Sequence, residues 1–345
     1  MPEITQDRRS LASNLTEKMT PAGCRARLTA VVIAILCLGT WFARAEEPAS
    51  SLNALTQSNT EPMSYSAPLS PLNVRVGLLE NYDRLTFMMH GRYRIETVNG
   101  DELRPSGASH LRWRTLIESS TPAQILYSVL VASYQKQSEA MELAEKFEQD
   151  GHPAVVRQIG GPIEIDSRIV GDNTLYRVQV GNFQKEEDAR ALLATLDMDY
   201  APRLVREVIR NSKGKIEIFD ADLIETFECE NAFRLIPEDK DSKITLFGVR
   251  VNSGFHYEKT EDREYSGMIE IYIDHEGKLA AFTEIPIDVY LYGVVPAEMP
   301  ATFPEEALRA QAIMARSVVM AQKSIKHLND PYELCAHVHC QVYSG

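Results

Sequence analysis

The chain has 345 residues, a formal net charge of −13, 44% hydrophobic residues and 25% charged residues. That length allows two or three domains with ample core, and the composition is that of a globular protein. The acidic balance argues against a general nucleic-acid binder, which must neutralise phosphates, and against adhesion to anionic lipid. It leaves an uncharged sugar ligand open.

Arg25 and Arg27 precede a 15-residue apolar stretch, Leu28 to Phe42, and Ala43-Arg44-Ala45 follows as an A-x-A cleavage signal. A bilayer span needs roughly 20 apolar residues. The segment 1–45 therefore reads as a cleaved signal peptide in preference to a retained anchor, with Met19 as an alternative start. This implies export to the periplasm or cell envelope. Residues 46–70, rich in Ser, Pro, Asn, Thr and Glu, read as a flexible linker.

From 71 to 118 the sequence reads as strands: NVRVGLL (73–79) alternates, LTFMMHG (85–91) follows, and YRIETVNG (93–100) ends in an Asn-Gly turn signal. Residues 122–209 contain an internal repeat with an offset of 49. Tyr127–Val131 matches Tyr176–Val180, Tyr134-Gln135-Lys136 matches Phe183-Gln184-Lys185, and Ala140 and Leu143 match Ala189 and Leu192. Each copy reads as a strand, a turn and an amphipathic helix, which implies a small sheet with helices on one face. Strand patterns resume over 212–345, at IEIFDA (216–221), KITLFGVRV (243–251) and GMIEIYID (267–274). FTEIPIDVYLYGVV (282–295) reads as a strand running into a helix-like segment. The fold class is α+β.

Glu298 falls on a tight connection between the apolar run Val289–Pro296 and a helix start at Thr302, with Glu305 at capping-box spacing and Pro304 suited to the first turn. A carboxyl buried at such a place could act as a general acid near neutral pH. The plainer reading is a solvated or capping carboxylate. Arg309 and Arg316 are seven apart and share one side of that helix. They read either as a solvated face or as groups that hydrogen-bond a ligand or position Glu298. Cys335, His337, His339 and Cys340 are dense enough in thiol and imidazole to hold a tetrahedral zinc ion. A disulfide and free structural thiols remain as alternatives. Cys229 reads as unpaired, and His110 and His152 as ordinary surface or packing residues.

GVVPAEMP (293–300), PEEALRAQAIMARS (304–317) and CQVYSG (340–345) together resemble the SpoIID/LytB family of stage II sporulation proteins D and amidase enhancers. The resemblance implies a lytic transglycosylase of bacterial peptidoglycan, with Glu298 as catalytic acid, Arg316 at a matching basic position, and Arg309 where Lys is usual. It also implies zinc on Cys335, His339 and Cys340, with a fourth position for water or substrate. YSVLVASYQKQSEAMELAEKF and YRVQVGNFQKEEDARALLATL resemble the SPOR domain, which binds peptidoglycan glycan strands lacking stem peptides. Tyr134, Gln135, Phe183 and Gln184 are then the glycan-facing candidates, against the alternative that these aromatics finish the core. The fold expected is a SpoIID-like mixed strand/helix domain (71–118 and 212–345) interrupted by a small SPOR-like βα-repeat domain (122–209). Family domains continue past CQVYSG, so the resemblance implies a C-terminally truncated member. Expected partners are glycan strands and, in a second reading, a cell-wall amidase that the protein recruits; nucleic acid is not expected.

Overall fold

The computed structural model describes residues 72–165, 167–196, 202–251, 256 and 258–345. The expected signal peptide and linker lie outside these residues. Five strands come first: β1 (Asn73–Tyr82), β2 (Arg84–His90), β3 (Arg92–Thr97), β4 (Glu102–Ala108) and β5 (Arg112–Thr121). They are followed by β6 (Gln124–Tyr134), helix α1 (Gln137–Gln149), β7 (Ala154–Ile159), the hairpin β8 (Pro162–Ile165) and β9 (Arg168–Asp172), β10 (Leu175–Phe183), α2 (Glu186–Thr195) and β11 (Arg203–Arg210). The chain continues through β12 (Lys213–Asp220), β13 (Thr226–Glu230), β14 (Ala232–Pro237), β15 (Lys243–Val251), β16 (Lys259–Ser266), β17 (Met268–Ile273) and β18 (Leu279–Pro286). It ends with α3 (Ile287–Glu298), α4 (Glu305–Gln322) and the short β19 (Leu334–Cys335).

Alternation of apolar and polar residues along these strands places one face of each in a core. A seven-stranded sheet, ordered β19-β1-β18-β17-β14-β3-β4, and a six-stranded sheet, ordered β13-β12-β5-β2-β15-β16, share one hydrophobic cluster. Val76, Phe233 and Ile271 enter it from the first sheet, and Phe87, Trp113 and Ile216 from the second. The early strands thus interleave with strands from beyond residue 212: β1 pairs with β18, β3 with β14 and β5 with β12.

Between β5 and β12 the chain builds a separate four-stranded sheet, β11-β6-β10-β7. Its core unites Val129 and Val131 of β6, Val178 and Val180 of β10, and Ala140 and Leu143 of α1, with Leu192 of α2 packed against them. Both helices therefore cover the same face. Their starts at Gln137 and Glu186 keep the 49-residue offset of the repeat.

Among the described residues no helix is long and apolar enough to cross a membrane.

Candidate functional site

Glu298 is the last residue of α3 rather than a loop residue. The helix continues through Pro296, which forgoes one i→i−4 hydrogen bond near the C-terminal end. It stops because Pro300 disfavours helical geometry at Met299, which is extended at φ −139° and ψ 127°. The capping box expected from Thr302 and Glu305 does not form. Pro304 holds the N-cap position without a side-chain cap bond, and its carbonyl accepts from Ala307 and Leu308. Glu298 is exposed, and its Oε1 accepts a 2.7 Å hydrogen bond from the Val342 N–H.

That bond joins two of the sequence words singled out above. The 340–345 segment lies along α3. The Tyr290 hydroxyl donates to Gln341 Oε1 at 3.1 Å, the Tyr290 and Tyr343 rings stack at 5.3 Å, and Ser344 N–H donates to the Gly293 carbonyl at 3.3 Å. Glycine is needed at 293, since a Cβ there would stand 2.5 Å from the Tyr343 ring. Burial, with smaller contributions from Cys340, Cys335, Tyr343 and Glu298, holds the Tyr290 hydroxyl well above its ordinary range.

Arg316 pairs with Asp288 in the first turn of α3 at 2.6 Å and so ties the two helices together. Arg309 pairs with Glu305 and Glu306 on its own helix, and all three side chains are exposed. In the four-stranded sheet, Tyr134 is packed against the helix-side core, in line with the core alternative for that residue. The Phe183 ring closes over Gly181, which has φ +79°. Gln135 lines a cleft of about 760 Å³ with Gln158, Asn173 and Tyr176, bounded on the other side by Ala321 and Ile325.

The thiol and imidazole cluster is larger than the sequence indicated. His327 Nε2 lies 3.3 Å from Cys340 Sγ, and His339 Nδ1 lies 3.7 Å from Cys335 Sγ and 3.6 Å from Cys340 Sγ. All four ligand atoms fall within 4.8 Å of one another. A tetrahedral zinc with Zn–S of about 2.3 Å and Zn–N of about 2.0 Å sets neighbouring ligand atoms about 3.3–3.8 Å apart, so the donors fit such an ion in type and spacing. Beside the three residues that the resemblance implies, His327 stands in the same group, at the place where the open fourth position was expected. His337 is not in the group, and burial followed by the Arg263 charge lowers its pKa.

His327 Nδ1 bonds Asp330 Oδ2 at 2.8 Å, which leaves Nε2 to face the thiols. Asp330 Oδ1 also meets His275 Nε2 at 3.1 Å. Burial alone would raise the Asp330 carboxyl, but its bonds to both histidines hold it well below the usual carboxylate range. Burial lowers His327, but its bonds to Asp330 and Cys335 outweigh this and raise it to about 9. Cys335 and Cys340 are free thiols. The bond from Cys335 lowers Cys340 to about 7 against the opposing effect of burial, and the same bond together with burial raises Cys335 to about 11. In sequence His327 is separated from the CAHVHC word, and its only signal is the Asp three residues later in HLND.

These features describe an α+β protein with a helix-end carboxylate beside a thiol and imidazole cluster. Residues 275–345 match the family model described as Stage II sporulation protein, and residues 123–206 match that of the SPOR domain. The chain therefore carries a SpoIID-family segment and a SPOR domain. Similar proteins include Stage II sporulation protein D of Bacillus subtilis, 56% identical over 36 residues, or 10% of this chain and 10% of that protein. An uncharacterized protein of Brachyspira hyodysenteriae is 35% identical over 83 residues, 24% of this chain and 22% of the relative. The matched region thus spans about a fifth of one relative and a tenth of the other. No solved structure matches.

Proposed function

We propose that this is an exported, peptidoglycan-binding protein whose SpoIID-like region, 71–118 with 212–345, cleaves glycan strands as a lytic transglycosylase, and whose inserted module, 122–209, holds glycan stripped of peptides. The observation that carries the reading is the 2.7 Å bond from the Val342 N–H to Glu298 Oε1, which holds the helix-end carboxylate on the CQVYSG segment. With Oε1 fixed by backbone, Oε2 is the oxygen offered to a bridging oxygen between two sugars.

Glu298 as acid gives its proton to the leaving oxygen as the C1–O bond breaks. The 6-hydroxyl of the muramic residue closes on C1, and its proton returns to the Glu298 carboxylate. One carboxyl therefore suffices, whereas hydrolysis of a glycosidic bond ordinarily uses two. Arg316 positions α3 through Asp288. His327, Cys335, His339 and Cys340 would hold zinc in a closed four-ligand site of the structural kind. When bound, that ion cross-links the 327–340 segment and shapes the cleft.

Mass spectrometry of digested glycan strands tests this. Anhydromuramyl ends are expected with the wild type and absent with Glu298→Gln; their persistence refutes the enzyme. A second reading, a non-catalytic protein that recruits or stimulates a cell-wall amidase, is favoured by the exposed apolar residues on and beside α3 and α4: Tyr292 (77% exposed), Phe303, Ile313 and Met314. Stimulation of an amidase that survives Glu298→Gln would establish it.

A further inference from the structure

The four-stranded sheet has a second face, opposite α1 and α2. Cross-strand partners share a face, so the pairs Gln179–Leu130, Arg177–Ser133, Gln179–Val155 and Leu126–Glu207 lie on it. Such a face is normally open, yet Leu130 is only 4% exposed and Gln179 only 8%. Residues 321–329, from the last turn of α4 to just before Asp330, fasten to the sheet at both edges. On the β7–β10 side, Asn173 Nδ2 donates to the carbonyls of Ala321 at 3.0 Å and Lys323 at 2.8 Å. Gly160 N–H donates to Ser324 O at 2.8 Å, and Arg177 Nη2 to Ile325 O at 2.9 Å. At the β11 edge, Asn329 Nδ2 donates to Arg206 O at 2.8 Å and Val208 N–H donates to Asn329 Oδ1 at 3.4 Å. A segment tied to both edge regions has to cross the face between them.

We propose that residues 321–329 form a displaceable strap over the second face of this sheet, covering surface that a peptide-free glycan strand would use. The inference rests on the glycan-binding reading of this module. Three observations argue for release. The attachments are hydrogen bonds, four from the inserted module to backbone carbonyls of 321–325 and two through the Asn329 side chain. Two non-glycine residues of the strap, Ser324 at φ 58° and His327 at φ 51°, are held in left-handed conformations that an extended segment would relieve. On the same face a groove of about 240 Å³ stays open, lined by Ser128, Gln179, Arg157 and Glu207, whose hydroxyl, amide and charged groups suit sugar hydroxyls. Arg157 and Glu207 pair across it at 2.6 Å, from β7 to β11. A glycan strand that extends from this groove along the face toward Arg177 would meet the strap, which Arg177 holds through Ile325 O.

The strap carries His327, a member of the thiol and imidazole cluster. A cation that holds His327 also favours the docked strap, so cation and glycan oppose each other, and the opposition is reciprocal.

The test is equilibrium binding of peptide-free glycan strands to the whole chain, comparing wild type, Asn329→Ala and Asn173→Ala/Asn329→Ala, each with zinc or with a chelator. Asn329→Ala is expected to bind roughly fivefold tighter and the double variant tighter still. Chelation should strengthen binding by the wild type more than by the double variant. Asn173 also accepts from the Gly161 N–H, so if the double variant fails to fold, Asn329→Ala and the chelator comparison decide alone. Equal binding by wild type and variants overturns the strap while leaving the glycan reading in place. Absence of binding by every form overturns the glycan reading, and the strap with it.

Discussion

Replacing His327 by alanine separates a four-ligand cation site from the three-residue one implied by the CAHVHC word. The geometry gives His327 a full share: its Nε2 is 3.3 Å from Cys340 Sγ, and Asp330 holds its other nitrogen at 2.8 Å. Structural zinc in small proteins is bound by roughly 10–16 kcal/mol at neutral pH. Divided over four ligands, that is about 2.5–4 kcal/mol each, or roughly two to three powers of ten in affinity. His327→Ala is therefore expected to weaken zinc about 100- to 1,000-fold. Asp330→Asn removes the carboxylate that fixes the His327 tautomer, and a loss of about 10- to 100-fold is expected. His337→Ala should leave affinity unchanged, although His337 stands inside the cysteine-flanked word. The assay is competition with a chromophoric zinc chelator at one fixed pH, because thiols and imidazoles bind the ion only when deprotonated. If His337→Ala costs as much as His327→Ala, the ligand set drawn here is wrong.

Gly293→Ala should destabilise the protein by about 1–3 kcal/mol, read as a drop of several degrees in thermal unfolding, because its Cβ would press on the Tyr343 ring and the Gly345 carbonyl; an unchanged midpoint refutes the docking of 340–345 on α3. With metal chelated and at slightly alkaline pH, iodoacetamide should reach Cys340 well before Cys335 or Cys229, since burial raises Cys229 to about 12 while Cys340 is lowered to about 7. Peptide mass spectrometry reads the order, and early labelling of Cys229 would contradict its burial. Arg316→Ala and Arg309→Ala remove exposed ion pairs, each worth about 0.2–1 kcal/mol, so neither should shift unfolding much. Loss of glycan cleavage in Arg316→Ala but not in Arg309→Ala is expected from the tie to Asp288, and the reverse order would overturn that assignment.

The strands around 73–97, 216–220, 243–251 and 268–273 were legible because each alternates apolar and polar residues over a length that fits no helix. The strand–helix repeat was legible because it occurs twice. What the sequence concealed depends on tertiary structure. β4, with the pattern ELRPSGA, has no alternation to read and exists because β3 offers it an edge. Glu298 was misplaced from loop to helix end because Pro296 looks like a stop, while the real stop is Pro300 acting on Met299. His327 escaped notice because ligand spacing is a local criterion, and this ligand arrives from a separate loop. The cover on the four-stranded sheet was invisible for the same reason: Asn173 and Ala321 are joined in space, 148 residues apart in the chain.

Val342 stands two residues beyond Cys340, and its N–H fixes Glu298. A cation gripping Cys340 would therefore steady the backbone that holds the carboxylate, without touching it. Tyr343 extends the same rigid stretch, since it stacks on Tyr290 and its carbonyl accepts from Arg263 at 3.2 Å. If the cation at Cys340 steadies the Val342 backbone, chelation should raise hydrogen exchange at the Val342 amide and lower glycan cleavage together. A different result, in which cleavage falls but Val342 exchange is untouched, would mean that the cation acts at the substrate, and the closed four-ligand description could not stand. Coupling of this kind needs an element with two arrangements, and the 321–329 segment supplies one. Its release would withdraw His327 from the cluster and loosen the carboxylate's support, so that binding at the sheet and chemistry at Glu298 would be read out by one loop.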